Sequence, residues 1–368
     1  MLEQAVCTII TKSYLAFARA LSHTISEHDP NIKLYVLLAD DLDGYFNPAE
    51  ETFKTILLEE LPDQDLVRKM CFYYTPFELC CALRGMLHEY MYEKQIARSW
   101  IFLDSDILTY TSLKVIFQQL ETTSILLNPH ILNPLEQQYV DEIEVGILVS
   151  GLYNAGFLGL KRSEETQRFI KWFKNRLIHY SFNRRGKGKL NLLFVDQLWL
   201  NFVPHFFNDV SFLVHAGANV AYWNLISHSL TKKNNTYFVN DQPLIFIHFT
   251  GWDVSQPSKI SKHIILTETI TLWQELAENY KELLFKYGYR DCQDYPYAFN
   301  SFVNEEKITP EMRYIYYEKI FNNEVVPSDP FSDYNYFKSQ LYPSHNQPIF
   351  QRLRQKTLNL YRRLSSVV

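Results

Sequence analysis

Apolar, β-branched runs at 5–10 (AVCTII) and 34–39 (LYVLLA) bracket the stretch Tyr14 to Glu27, whose residues Leu15, Ala18, Leu21 and Ile25 recur at helical spacing. Strand, helix and strand in that order predict a βαβ unit, and with it a parallel sheet. A second helix is predicted over 77–94 and leads directly into WIFLDSDI at 100–107. That strand is apolar on both faces until Asp104, as a strand in the middle of a parallel sheet must be. The apolar stretch 143–160 predicts two strands around Tyr153-Asn154-Ala155-Gly156. A helix over 163–180 follows, with Phe169, Trp172, Phe173 and Leu177 on one stripe. Then come a helix from about 195 to 204, a strand at 210–214, a loop at Ala216-Gly217 and a last core strand, PLIFIHF, at 243–249.

After about residue 260 the pattern changes. A helix is predicted over 269–286, and 295–340 is rich in Tyr, Phe, Asn and Pro with short helical pieces. The expected organisation is a first domain at 1–260 and a mainly helical extension at 261–368. Between the two central helices the basic, glycine-rich run 183–189 reads as a loop, either solvated or able to close over an anionic ligand. The chain's last basic stretch, Arg352 to Leu364, alternates with leucines. It suits a helix lying on an anionic membrane surface as well as one packed on the first domain.

Composition narrows the class. With 47% hydrophobic and 21% charged residues the chain is not disordered. A net charge of −5 gives no bulk attraction for a nucleic-acid backbone, so none is expected as a partner. The five cysteines, irregularly spaced and odd in number, read as reduced thiols of a cytoplasmic protein. The start, MLEQAVCTIITK, lacks a basic segment followed by an apolar one, which agrees with a cytoplasmic expectation. Residues 350–368 would then offer peripheral contact with the inner face of the membrane.

The most informative chemistry is Asp104-Ser105-Asp106. On an extended strand residues i and i+2 face the same way, so two carboxylates can converge on one hard cation. They follow a buried strand at its carboxyl end, the usual ligand crevice of an α/β sheet. By itself the tripeptide also suits a capped strand end or a solvated loop; the apolar run before it favours the metal. His248, likewise at the end of an apolar strand, is the candidate third ligand, or else a hydrogen-bonded core histidine. Mg²⁺ and Mn²⁺ accept carboxylates, imidazole and diphosphate oxygens together.

Five blocks, in order, resemble nucleotide-diphospho-sugar transferases of the GT-A fold, and more narrowly the retaining glycosyltransferase family 8 group and its bacterial relatives. They are TIITKSY at 8–14, FLDSDI at 102–107, YNAGFLGL at 153–160, VDQLWLN at 195–201 and HFTG at 248–251. VHAGANVAYWNL at 214–225 resembles a segment shared with a bacterial subgroup. The match departs at two places. Thr11 and Ser13 stand where the relatives commonly carry acidic and Asn residues, and no Lys follows HFTG at the usual spacing; Lys259 and Lys262 are the nearest.

The resemblance implies an α/β GT-A fold, Rossmann-like and mostly parallel with flanking helices, followed by a helical extension. It implies transfer of a sugar from a nucleotide-diphosphate donor, a UDP-sugar favoured, to a glycan, glycolipid or glycoprotein acceptor. The reaction would depend on Mn²⁺ or Mg²⁺ and retain the anomeric configuration. Asp104, Asp106 and His248 would hold the metal, with Gly251 beside it. Thr8, Thr11 and Tyr14 would meet the nucleoside. Asn154, Asp196, Gln197 and Arg84 would surround the donor sugar and its phosphates, with Gly217 and Asn219 shaping a nearby loop. For Arg84 a surface salt bridge, and for Asp196 a helix cap, are the plainer readings. A nucleotidyltransferase or a metal-dependent nucleotide-sugar hydrolase is the alternative, although residues 11–20 hold no glycine for a phosphate loop.

Overall fold

The structure, a computed structural model, describes residues 1–184, 188–263 and 271–341. The middle of the basic loop, 185–187, and the C-terminal tail from 342 onward lie outside the described residues, as do the first two positions of the helix expected from 269. The strands are β1 Leu2–Ile10, β2 Lys33–Leu38, β3 Lys54–Ile56, β4 Ala97–Leu103, β5 Ile107–Thr109, β6 Ile125–Pro129, β7 Tyr153–Lys161, β8 Val210–Phe212, β9 Leu230–Lys233, β10 Thr236–Val239, β11 Gln242–Pro243 and β12 Phe246–His248.

Seven of them form the main sheet in the order β3-β2-β1-β4-β7-β6-β8. Every neighbouring pair is parallel except those made by β7, which runs against both β4 and β6. This is the Rossmann-like, mostly parallel sheet with flanking helices that was expected. Its centre is dry: from Ala5 to Ile10 of β1 and from Ser99 to Leu103 of β4 every residue is buried, which is why both read as apolar on both faces. Helix Leu15–His28 buries Leu15, Ala18, Leu21 and Ile25 as the spacing predicted. Helix Glu164–Tyr180 begins at Ser163, whose hydroxyl accepts from Thr166 N at 3.0 Å, with Glu164 and Glu165 in the first turn. It packs on helix Pro76–Glu93 at Gly85, where a Cβ would come within 2.5 Å of Lys174 Cα.

Three sequence expectations differ from the structure. Residues 143–150 are helical, a π turn at Val140–Glu144 running into Val145–Ser150, because Val145, Leu148 and Val149 face outward rather than into a sheet. A short apolar run does not by itself distinguish strand from helix. The expected helix from about 195 is a 3₁₀ segment, Gln197–Phe202, with a single α turn after it. The expected core strand 243–249 leaves the main sheet: β12 pairs antiparallel with β5 in a separate ribbon, while β9, β10 and β11 form a small sheet of their own.

The described residues fall into two units, one of Met1–Gln64 and Pro76–Ala298, the other of Asp65–Thr75 and the chain from Phe299. The division expected near 260 therefore lies later. Helix Thr271–Lys286 buries Trp273, Leu276, Ala277, Tyr280 and Leu284 in the same core as β1 and helix Leu15–His28, and Tyr280 stacks on Phe249 at 4.2 Å. The second unit is helical. Within it the buried Arg313 donates to the carbonyls of Cys71, Phe72, Tyr74 and Phe299 at 2.6 to 3.3 Å.

Candidate functional site

The carboxyl ends of β1, β2 and β4 and the start of the reversed β7 meet at one edge of the main sheet. β4 stops at Leu103, and Asp104 to Asp106 form a turn closed by Ile107 N donating to Asp104 O at 3.1 Å. The two carboxylates thus converge through a turn, not through the strand alternation expected from sequence. Asp104 N still donates to Gly156 O at 2.9 Å, extending the ladder between β4 and β7 by one bond. The ribbon then returns His248 opposite Ile107.

His248 Nε2 lies 3.1 Å from Asp106 Oδ1 and 3.7 Å from Asp104 Oδ2. One ligand atom from each of the three residues lies within 4.8 Å of the others. Burial opposes the imidazolium, but the neighbouring Asp106 carboxylate outweighs it and holds His248 above its ordinary pKa. A positive charge is therefore favoured at this point. The surroundings also leave room for it: at Gly156 a Cβ would stand 2.5 Å from His248 Cε1 and 2.9 Å from Asp104 Oδ2. Two carboxylates, one imidazole and an unfilled flank suit Mn²⁺ or Mg²⁺ with positions left for ligand oxygens.

Arg84, on helix Pro76–Glu93, is buried rather than at the surface. Its Nη1 donates to Asp196 Oδ2 at 2.6 Å and Ala155 O at 2.7 Å, and its Nη2 pairs with Asp104. Its guanidinium also lies 4.4 Å from the centre of the Phe102 ring. Asp196 is 1% exposed; burial raises its carboxyl against the pull of Arg84. It makes no cap to the segment it precedes. Val195, immediately before it, has φ +39°, a costly conformation for a β-branched residue.

Asn154 joins the cluster of Asp104, Asp106 and His248 directly: His248 Nδ1 is 3.2 Å from Asn154 Oδ1. Gln197 fixes the backbone beside it, its Oε1 accepting from Ala155 N at 3.1 Å and its Nε2 donating to Ser150 O at 3.1 Å. Asn219, in a left-handed conformation, also donates to Asn154 Oδ1, at 3.2 Å. Gly217 accepts from Ile245 N at 2.7 Å and helps carry that loop past the ribbon.

The predicted nucleoside residues are less tightly gathered. Tyr14 is half exposed, its ring 4.8 Å from Phe17 and its phenol within electrostatic reach of Asp106 and Asp104. Thr11 Oγ1 meets Ser13 Oγ at 3.0 Å. Thr8 is fully buried in β1, and its hydroxyl has no hydrogen-bond partner among the described residues. Gly251, at φ +66°, turns the chain after the ribbon and accepts from Lys262 N at 2.9 Å. The side chains of Lys259 and Lys262 face solvent.

Sequence reasoning passed over several residues here. Lys12 is buried against Asp40 at 3.5 Å, and its Nζ also pairs with Asp43; a lysine directly after an apolar strand was the available signal. His130, Asn128, Asn224 and Trp223 surround Asn154 and Asn219. Trp223 stands edge-on to His130 at 5.0 Å and to His248 at 5.5 Å. Of these, Lys12, Trp223 and Asn224 lay in blocks singled out beforehand, with no role given to them.

No family model matches the chain. The uncharacterized proteins YfnF and YfnD of Bacillus subtilis (strain 168) are each 24% identical to it, over 71% and 67% of this chain and 86% and 76% of their own. Among solved structures, the galactosyltransferase LgtC in complex with donor and acceptor sugar analogs is 15% identical, with a TM-score of 0.47, over 77% of this chain and 95% of that one. The glycosyltransferase GlyE of Streptococcus pneumoniae TIGR4 is also 15% identical, with a TM-score of 0.45, over 82% of this chain and 67% of that one.

Proposed function

We propose that the chain is a divalent-metal-dependent glycosyltransferase that takes a sugar from a nucleotide-diphosphate donor, a UDP-sugar favoured, and passes it to a glycan, glycolipid or glycoprotein acceptor. The observation that carries this reading is the convergence of Asp104, Asp106 and His248 at the carboxyl end of β4, each ligand atom within 4.8 Å of the others. Open α/β sheets bind ligands at that edge. Mn²⁺ or Mg²⁺ held there neutralises negative charge on a diphosphate.

The chain's own residues divide the remaining work. Arg84 holds Asp104 and Asp196 in place, so its charge acts through them on the site. Gln197 and Asn154 keep the start of β7 against the cluster, where the donor sugar would lie. Tyr14 offers a ring face to a nucleobase. Retention of the anomeric configuration belongs to the same proposal: Asp196 is paired and out of solvent, which suits it to support a cationic sugar rather than to serve as a free base. NMR of the product anomer tests that part, and an inverted product would overturn it.

The decisive assay incubates the protein with a panel of nucleotide sugars, with and without Mn²⁺, and follows nucleoside diphosphate release. Release from one donor that needs the cation and rises when a glycan acceptor is added is the expected result. Release indifferent to every acceptor would favour a hydrolase, and pyrophosphate-dependent chemistry a nucleotidyltransferase. No cation-dependent release from any donor would sink the proposal.

A further inference from the structure

We infer that Asn128, Asn219 and His130 are positioning residues that lock the Asn154 amide so that its oxygen holds the hydrogen of His248 Nδ1, leaving Nε2 as the nitrogen that faces the cation. The inference rests on the metal reading above and deepens it: the cluster's donor set is fixed by a row of buried amides, not by the ligands alone.

The orientation of each amide follows from its partners. Asn128 Nδ2 donates to Leu213 O at 3.4 Å, which turns Asn128 Oδ1 toward Asn219. Asn219 Nδ2 spends its two hydrogens on Asn128 Oδ1 at 2.8 Å and Asn154 Oδ1 at 3.2 Å. Were Asn219 reversed, its oxygen would face two oxygens. From the other side, Asn154 Nδ2 faces His130 Nε2 at 3.3 Å and Gln197 Oε1 at 3.4 Å. Both of those are acceptors. His130 Nδ1 meets Leu152 O at 3.2 Å and must carry the hydrogen there, while Gln197 Nε2 is engaged with Ser150 O. Burial pushes His130 down to about 4, so at neutral pH its Nε2 is bare.

Two independent sides thus assign Asn154 the same way, oxygen toward His248. A carbonyl oxygen only accepts, so His248 Nδ1 is the donor across the 3.2 Å contact. Its other nitrogen is the one 3.1 Å from Asp106. Ligating histidines commonly have their second nitrogen held in this manner, and loss of the holder typically weakens metal binding about 10- to 100-fold. Here the holder is an amide, itself held by another. Asn219 and Asn154 are 0% and 5% exposed, so water does not compete. Asn224 completes the support by donating to Asn219 O at 3.0 Å.

The test is Asn219→Asp, which keeps shape and tolerates the left-handed backbone but replaces the donating NH₂ by an acceptor. Asn154 must then reverse to supply a hydrogen, presenting its NH₂ to His248 Nδ1. Mn²⁺ affinity, read by electron paramagnetic resonance, is expected to weaken about 10- to 100-fold, and more than in Asn219→Ala. Coulomb attraction alone predicts the opposite order, because the variant adds negative charge near a cation. Ring ¹⁵N spectra of histidine-labelled, Mg²⁺-loaded protein supply the second reading: Nδ1 of His248 protonated in the wild type, and not in Asn219→Asp.

Unchanged or tighter Mn²⁺ binding by Asn219→Asp overturns the inference. If that variant does not fold, Asn219→Ala and the wild-type ring spectrum decide it, and a wild-type His248 without a hydrogen on Nδ1 overturns it. If the wild type binds no Mn²⁺, the metal reading fails separately. The spectrum of the metal-free protein, recorded at alkaline pH where the ring is neutral, then still decides the amide row by the presence or absence of that same hydrogen.

Discussion

Gly156 stands so close to His248 that a Cβ on the glycine would come within 2.5 Å of the imidazole Cε1. The same methyl would crowd Asp104 Oδ2 at 2.9 Å. Gly156→Ala should therefore displace the imidazole and weaken Mn²⁺ binding by about 10-fold or more, while the sheet, in which Gly156 is an ordinary β7 residue, stays folded. Isothermal titration beside a circular-dichroism melt checks both halves.

Removing a ligand should be more severe. Asp106→Asn and His248→Ala are each expected to lower cation-dependent turnover by about 10³-fold, the loss of several kcal/mol of charge stabilisation. Wild type treated with a chelator should match them, and Mn²⁺ should restore the wild type alone. Near-normal, cation-dependent rates in both variants would place the site elsewhere.

Arg84 carries a structural burden that its neighbours reveal. It pairs at once with Asp104 and with the buried Asp196. Arg84→Met should cost about 3–5 kcal/mol in urea unfolding, since it strands a buried carboxylate. Adding Asp196→Asn should return part of that loss, because the stranded charge goes with it. Equal instability of the single and double variants would show that packing against Phe102, not charge, is what Arg84 supplies.

Two buried histidines set the acid limit. Burial lowers His88 from 6.5 to about 3 and His130 from 6.5 to about 4. Each is neutral in the folded protein and charges more readily when unfolded, so the stability tied to it is full above about 6.5. It is lost progressively as pH falls toward 4 and then 3. Unfolding free energy in urea should fall by about 3 kcal/mol between pH 6.5 and 4 for each such group. His88→Gln keeps an acceptor for Trp100 Nε1, now 3.1 Å from His88 Nδ1, and should flatten the slope.

Much of this site was legible because apolar runs mark where strands end. Asp104, Asp106 and His248 each follow such a run, and Asn154 opens another. What those runs did not mark was geometry: the two aspartates meet through a turn, and β12 lies in a ribbon outside the main sheet. Asn128 and His130 escaped for a different reason, and Asn219 was expected only to shape a loop. A single buried polar residue has no period, and its meaning appears only when its partner, distant in sequence, is beside it. The boundary expected near 260 put the helix at 269–286 with the Tyr-rich stretch 295–340 that follows it, whereas Trp273 and Tyr280 of that helix fill the first unit's core.

The reversed strand β7 and the ribbon of β5 with β12 have a consequence for how the chain reaches this state. Asp106 and His248 touch only after a segment longer than a hundred residues has closed between them, and such distant pairings form late because chain entropy is lost before contacts repay it. The Asp104, Asp106 and His248 cluster is then predicted to be absent from the rate-limiting ensemble. A cation that binds only the completed site slows unfolding while leaving the refolding rate unchanged. In stopped-flow traces the bound ion would act as a latch on a door already shut.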